Sequence, residues 1–255
     1  MSQVSEFKSH RPPEAELKSL RIDLAAAFRL AVQMDWHEAV GNHFSLAVSA
    51  DGRQFLMNPR WRHFSLIRAS DLLLLDSADT QTMSRPDAPD PSAWCIHGRI
   101  HALVPQARCV LHVHPPYGTV LATLADPRIL PIDQNTALFY NRVAIDQGYS
   151  GIADQLEEGE RLAQALGAHR SMIMGNHGVL VTAPTVAEAF DELYFLERAA
   201  KTLILAYSTG QPLNVLSDEV AEKTAQSWEP YRASAFAHFR DLKYMLDAKD
   251  PSYRE

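Results

Sequence analysis

The stretch Arg108-Cys-Val-Leu-His112-Val-His114-Pro115-Pro116 restricts this chain more than any other. Up to Val113 it has the composition of a buried strand, and two consecutive prolines, which cannot donate to a ladder, stop it. Strand side chains alternate between faces, so His112 and His114 point one way and Val113 the other. Two imidazoles on one face of a strand end either make ordinary hydrogen bonds or converge on a metal, each nitrogen about 2.1 Å from the cation. A third imidazole comes from Gly175-Asn176-His177-Gly178, which joins two short apolar runs, 171–175 and 179–182. Its glycines permit unusual backbone angles and close approach. Alone it reads as a turn histidine, yet a turn between two buried strands can also aim one side chain rigidly into a site.

The rest of the chain supplies a scaffold. Leu17, Leu20, Leu24, Phe28 and Ala31/Val32 recur at helical spacing, which predicts an amphipathic helix from Glu14 to about Trp36. A strand through Val48, the Asp51-Gly52 turn and a strand from Gln54 to Met57 form a hairpin signature; Asn58-Pro59 breaks it, and 71–76 reads as a third strand. A proline-rich loop over 77–92 precedes a helix at 93–104 and the strand 108–113. A helix near 117–124, an irregular stretch, a short strand at 142–145 and a helix at 152–166 follow. Thr185-Val-Ala-Glu188 is a capping box opening a long helix that ends at Gly210, with one or two further helices from about 217. The expected organisation is a flexible arm, 1–13, and a single domain, 14–255.

Composition removes several partners. A net charge of −7 without a Lys/Arg stripe argues against nucleic acid. Apolar runs such as Leu72–Leu75 fall far short of the roughly 20 residues that span a bilayer, and the polar N-terminus lacks a secretory core. Cys95 and Cys109 are too few for a disulfide framework, so a cytoplasmic protein is expected.

Gly41-Asn42-x-x-Ser45, Pro91-Ser92 before a helix carrying His97, Val110-Leu-His112-Val-His114-Pro-Pro-Tyr117 and Gly175-Asn-His177-Gly-Val179 occur in that order over roughly residues 17–210. Together they resemble the class II aldolase/adducin family. The resemblance implies an α/β protein with a three-layer α/β/α class II aldolase-like fold and a central mixed, mostly antiparallel sheet, commonly a homotetramer with sites between subunits. It also implies that His112, His114 and His177 hold a divalent metal, zinc first, with Mn, Fe or Co as the other cations such a set accepts, and that a small molecule is the substrate.

The chain departs from the family at one decisive point. Family aldolases place a Glu, their acid/base group, four residues before the helix histidine; here that position is Ala93, as in adducin-like members. Alanine cannot move a proton. Since i and i+4 stack on a helix, His97 is a candidate fourth ligand or orienting group, set against a helix histidine satisfied by a carbonyl. His101, on the same stripe, takes the second of these readings, and Asp87 or Asp90 is a candidate carboxylate. Of the family's phosphate pocket, Asn42, Ser45 and Ser92 remain, while the middle turn reads Asn58-Pro59-Arg60-Trp61-Arg62, whose arginines suit a bidentate anion clamp. Tyr117 and Tyr140 are the candidate proton donors, because family members use a tyrosine for protonation. The expected activity is that of a lyase on a hydroxy-carbonyl or keto-acid compound, by aldol cleavage or decarboxylation, with the metal stabilising a developing enolate. Decarboxylation needs no base to start. A non-catalytic adducin-like scaffold, a non-haem iron oxygenase and a purely structural metal are the other readings.

Overall fold

The structure is a computed structural model that describes residues 12–149, 151 and 155–255, so most of the expected N-terminal arm and positions 152–154 of an expected helix lie outside the described residues. Helix α1 (Glu14–Gln33) starts after Pro13, and Glu14 and Glu16 in its first turn suit the positive end of the helix dipole. It buries Leu17, Leu24, Phe28 and Ala31, the stripe that the 3.6-residue spacing predicts. It ends ahead of Asp35, whose φ of 59° no helix continues.

Seven strands follow: β1 (His43–Ala47), β2 (Gln54–Met57), β3 (Leu73–Asp76), β4 (Cys109–Val113), β5 (Val143–Asp146), β6 (Ser171–Met174) and β7 (Gly178–Ala183). They form one sheet in the order β3-β2-β1-β4-β7-β6-β5. Only β5–β6 is parallel; the other five neighbouring pairs are antiparallel, so the sheet is mixed and mostly antiparallel. Helices α2 (Pro91–Leu103), α3 (Pro116–Ala122), α4 (Gln134–Leu138), α5 (Leu156–Leu166), α6 (Val186–Ser208), α7 (Asp218–Ser227) and α8 (Ser234–Lys249) complete the set.

Side-chain alternation sorts the sheet into two packed faces. Phe44, Leu46, Leu111, Val113 and Val181 join the cluster built with α1, α6 and α8, including Phe28, Phe190, Leu193 and Phe239. Val110, Met172, Met174 and Leu180 face the other way, against Ile96 and Ile100 of α2 and Leu162 and Leu166 of α5. Each such side chain, fully buried, contributes roughly 1.5–3 kcal/mol. Layers of helix, sheet and helix result. Gly159 lets α5 lie close on α2, since a Cβ there would run into the Cys95 carbonyl. Among the described residues no helix is long and apolar enough to cross a membrane.

The departures from expectation are local. Helix α2 starts at Pro91 rather than 93, because Asp90 caps it by accepting from the Ser92 backbone N–H and Pro91 occupies the first turn, where no donor is needed. The stretch read as irregular contains α4, opened by a reciprocal Asp133–Thr136 box. Residues 82–84, inside the expected loop, form a single 3-10 turn.

Candidate metal centre

Antiparallel pairing of β4 with β7 sets Val113 opposite Val179, so the residue after β4 meets the turn before β7. His112, His114 and His177 accordingly come together: one ring nitrogen from each lies within 4.8 Å of the others. Ring centroids stand 5.0 Å apart for His112–His114, 4.7 Å for His112–His177 and 4.8 Å for His114–His177. Gly178 makes this possible, since a Cβ there would stand 2.5 Å from His114 Cδ2 and 2.7 Å from the Val113 carbonyl. The unusual backbone angle of the turn falls on Asn176 (φ 56°) and not on its glycines, whose contribution here is close approach. The Asn176 N–H, bonded to the Ala122 carbonyl at 2.9 Å, ties the turn to the end of α3.

Two of the rings have their protons assigned by their partners. His112 Nδ1 lies 3.0 Å from the Val179 carbonyl, which can only accept, so the proton sits on Nδ1 and Nε2 is bare. His114 Nδ1 donates to the Glu38 carboxylate, so in the neutral ring Nε2 is the bare nitrogen. The two Nε2 atoms are 3.2 Å apart. With both rings in the neutral form that a metal binds, no proton is left for that contact and two lone pairs face one another. A cation relieves exactly this arrangement: nitrogens about 2.0–2.1 Å from a tetrahedral ion are about 3.3 Å from each other. The donor set therefore fits a divalent metal. Burial, and then the neighbouring rings, hold His112 well below the ordinary histidine range; burial, then His114, takes His177 down to about 4. Neutral imidazoles are the form a metal binds.

The cavity over this centre has a volume of about 160 Å³. Asn42, Asn58, Arg60 and Ser92 line it, together with His43, Trp61 and Asp90. Asn42 is in the left-handed region (φ 67°), and its side-chain oxygen is buried without a hydrogen-bond partner among the described residues. Asn58 is spoken for in part: its Oδ1 accepts from the Phe44 backbone N–H at 3.2 Å. Arg60 stacks over Trp61 at 4.2 Å. Asp90 Oδ1 accepts from Ser92 Oγ at 2.6 Å.

Other expected residues stand elsewhere. Ser45 is fully buried behind the cavity, bonded to His97 and His101, so it meets no substrate. His97 uses both ring nitrogens in hydrogen bonds, to His43 and Ser45, which corrects its reading as a fourth ligand. His101 bonds a backbone carbonyl, that of Ala107, as expected of a helix histidine, and bonds Ser45 as well. Tyr140 bonds Asp218 and lines a different hollow with Arg128 and Ile145, away from the histidines. Tyr117 lies outside the cavity lining, with Lys201 Nζ 5.2 Å from its ring centroid and its backbone N–H on Glu197 Oε1. Arg62 pairs with Asp71 at 3.6 Å, and Asp87 with Arg85. Ala93 is packed in an apolar cluster with Ala47, Phe55, Met57 and Leu75.

Sequence reasoning passed over two residues. His43 sat in an unread position of Gly41-Asn42-x-x-Ser45, although strand alternation places it on the face of Ser45, and in register it stands opposite His112. Glu38 left no signal, because its contact with His114 spans 76 positions.

Comparison with known proteins agrees with this geometry. The family profile described as Class II Aldolase and Adducin N-terminal domain matches residues 22–204. A Caulobacter vibrioides protein named for the aldolase class 2 group is 32% identical over 209 residues, 82% of this chain and 80% of its own. The crystal structure of an aldolase II superfamily protein from Pseudomonas syringae superposes with a TM-score of 0.85 at 32% identity, covering 95% of this chain and 98% of that one. Decarboxylase NovR of Streptomyces niveus is 26% identical over 75% of this chain and 74% of its own length. Rat alpha-adducin is 28% identical over 84% of this chain, which corresponds to 29% of the adducin.

Proposed function

This chain belongs to the class II aldolase and adducin family, and we propose that it is a metal-dependent lyase-type enzyme acting on a small hydroxy-carbonyl or keto-acid compound. The observation that carries the reading is the meeting of the Nε2 atoms of His112 and His114, 3.2 Å apart, with His177 beside them. His112, His114 and His177 would hold the ion, zinc in the first instance, and its chemistry there would be Lewis-acid polarisation of a substrate carbonyl oxygen. Glu38 and the Val179 carbonyl orient two of those rings. Arg60, Asn42 and Ser92 surround the space where a carboxylate or phosphate of the substrate would anchor, the guanidinium offering paired donors. Asp90 is the carboxylate of the cavity lining, at the start of the helix whose position 93 lacks one. With no acid at Ala93, decarboxylation of a keto acid suits these residues better than aldol cleavage, since carbon dioxide departs without a base.

Metal analysis of tag-free protein should find about one divalent ion per chain. The loaded protein, assayed against 3-keto acids, aldol donors and sugar acids, should release carbon dioxide from a keto acid or cleave a hydroxy-carbonyl. Metal uptake with total inactivity across that panel would move the function to a non-catalytic adducin-like module, which the buried Ala93 favours; oxygen consumption after Fe(II) loading would move it to an oxygenase. The proposal includes a cytoplasmic homotetramer, and light scattering that returned a monomer would remove that part of it.

A further inference from the structure

Behind the three ligands, β1 and α2 seal a row of side chains that metal binding does not account for. His101 Nδ1 lies 2.8 Å from the Ala107 carbonyl, and His101 Nε2 lies 2.7 Å from Ser45 Oγ. Ser45 Oγ lies 2.5 Å from His97 Nδ1, and His97 Nε2 lies 2.7 Å from His43 Nδ1. Ser45 and His97 have no exposed surface, and His101 and His43 expose 3% and 6%.

One group sets the direction of the whole row. A carbonyl oxygen only accepts, so His101 carries a proton on Nδ1. Burial keeps the His101 and His97 rings neutral, and His101 Nε2 is therefore a bare lone pair to which the Ser45 hydroxyl donates. The Ser45 oxygen is then free to accept from His97 Nδ1–H. His97 Nε2 accepts in turn from His43 Nδ1–H. Every contact holds one proton. Reversing a single link would leave two protons, or none, in a sealed contact. The row ends at His43 Nε2, which has no partner among the described residues and is not sealed from solvent; His43 itself lines the cavity. It stands outside the group of three nitrogens that converge for a metal.

We propose that Ala107–His101–Ser45–His97 is a positioning relay that fixes the tautomer of His43. It makes His43 Nε2 a hydrogen-bond acceptor on the cavity wall, a specificity element for a substrate hydroxyl. The hydroxyl contact rests on the reading of the cavity as a hydroxy-carbonyl site, whereas the tautomer depends on the fold alone. A compound without a donor at this position leaves the acceptor unpaired.

The test is two-bond proton–nitrogen NMR on the full chain with ¹⁵N-labelled histidine, first without metal. His43, His97 and His101 should each show a protonated Nδ1 and a bare Nε2. In Ser45→Ala, His101 should keep that pattern while His97 and His43 become tautomer mixtures. A wild-type His43 protonated on Nε2 overturns the relay from the native spectrum alone, whatever the variant's stability, and so does a His43 signal unchanged in folded Ser45→Ala. With zinc-loaded protein, hydroxyacetone should shift the His43 Nε2 resonance and acetone should not, and Ser45→Ala should bind hydroxyacetone about tenfold more weakly. Equal shifts from the two probes overturn the hydroxyl contact and leave the relay standing. Failure to take up zinc overturns the functional reading, while the metal-free spectra still decide the relay.

Discussion

The six histidines of β1, α2, β4 and the β4 and β6 ends form two groups that share a wall and behave oppositely. In the group of His43, His97 and His101, each ring hands a proton to the next acceptor, and the contacts close without a cation. In the outer group, His112 and His114 direct Nδ1 protons to Val179 and Glu38, and their Nε2 atoms meet head to head, with no acceptor between them. The side chain is the same in both. What differs is where the nearest fixed acceptor stands, and that leaves one group a hydrogen-bonded support and the other a donor set that a cation fits. Cavity size teaches nothing of this: a hollow of about 490 Å³ between Asp133, Leu216 and Trp228 dwarfs the one over the three converging histidines and holds no comparable cluster among its lining residues.

The contrast is broken most severely by removing a ligand. His112→Ala and His177→Ala should each abolish metal uptake, read by elemental analysis, while His97→Ala costs stability but retains about one ion per chain; full occupancy in both ligand variants would dissolve the distinction. Gly178→Ala should come next. Its new Cβ would collide with His114 Cδ2 and the Val113 carbonyl, and the expected cost is about a hundredfold in metal affinity by competitive chelator titration. Gly98→Ala on α2, where a Cβ meets nothing within 4 Å, is the control and should leave affinity unchanged. Glu38→Gln tests the orienting carboxylate of His114: about a tenfold loss is expected, and wild-type affinity would reduce that contact to an accident of the surface.

The smallest effect, ring for ring, is on pH. Burial lowers His97 well below its ordinary value and His101 to about 4, so both are neutral when folded and protonate near 6.5 when unfolded. Their stabilisation is complete above the unfolded value and drains away as pH falls from about 6.5 towards 4. Between pH 7.5 and 6.0, urea denaturation of metal-free protein should lose about 0.8 kcal/mol for each of these two rings, with His43, His112 and His177, also lowered by burial, adding to the loss. A flat profile would mean that the inner group is hydrated or already charged.

Strand periodicity exposed the pairing of His112 with His114, because a two-residue repeat is written directly in the chain. The capping residue Thr185 announced a helix start through contacts within one turn, whereas the equally local Asp90 cap went unread and α2 begins two residues earlier than expected. The long-range assignments were harder. Ser45 shares a motif with Asn42, yet the pleat sends Ser45 behind the cavity and leaves Asn42 at its rim. Tyr140 follows an apolar helix of five residues, α4, and its hydroxyl goes to Asp218, a partner no local rule supplies. Ala93 occupies the i−4 position before His97, but its neighbours are Phe55 and Met57 of the next strand rather than the metal centre.

The sequence by itself determined the alternation that aligns two imidazoles, the turn that delivers a third, and the apolar stripes that stack helices on both faces of a sheet. Each is a short-period property, visible wherever neighbours in the chain are neighbours in space. Only the tertiary structure decided which nitrogen of each ring carries its proton. That choice belongs to the Val179 and Ala107 carbonyls and the Glu38 carboxylate, and for His112 and His114 these arrive from 67 and 76 positions away. A lone pair's direction is set by the coordinates of its neighbour's acceptor, and those exist only once the sheet has closed.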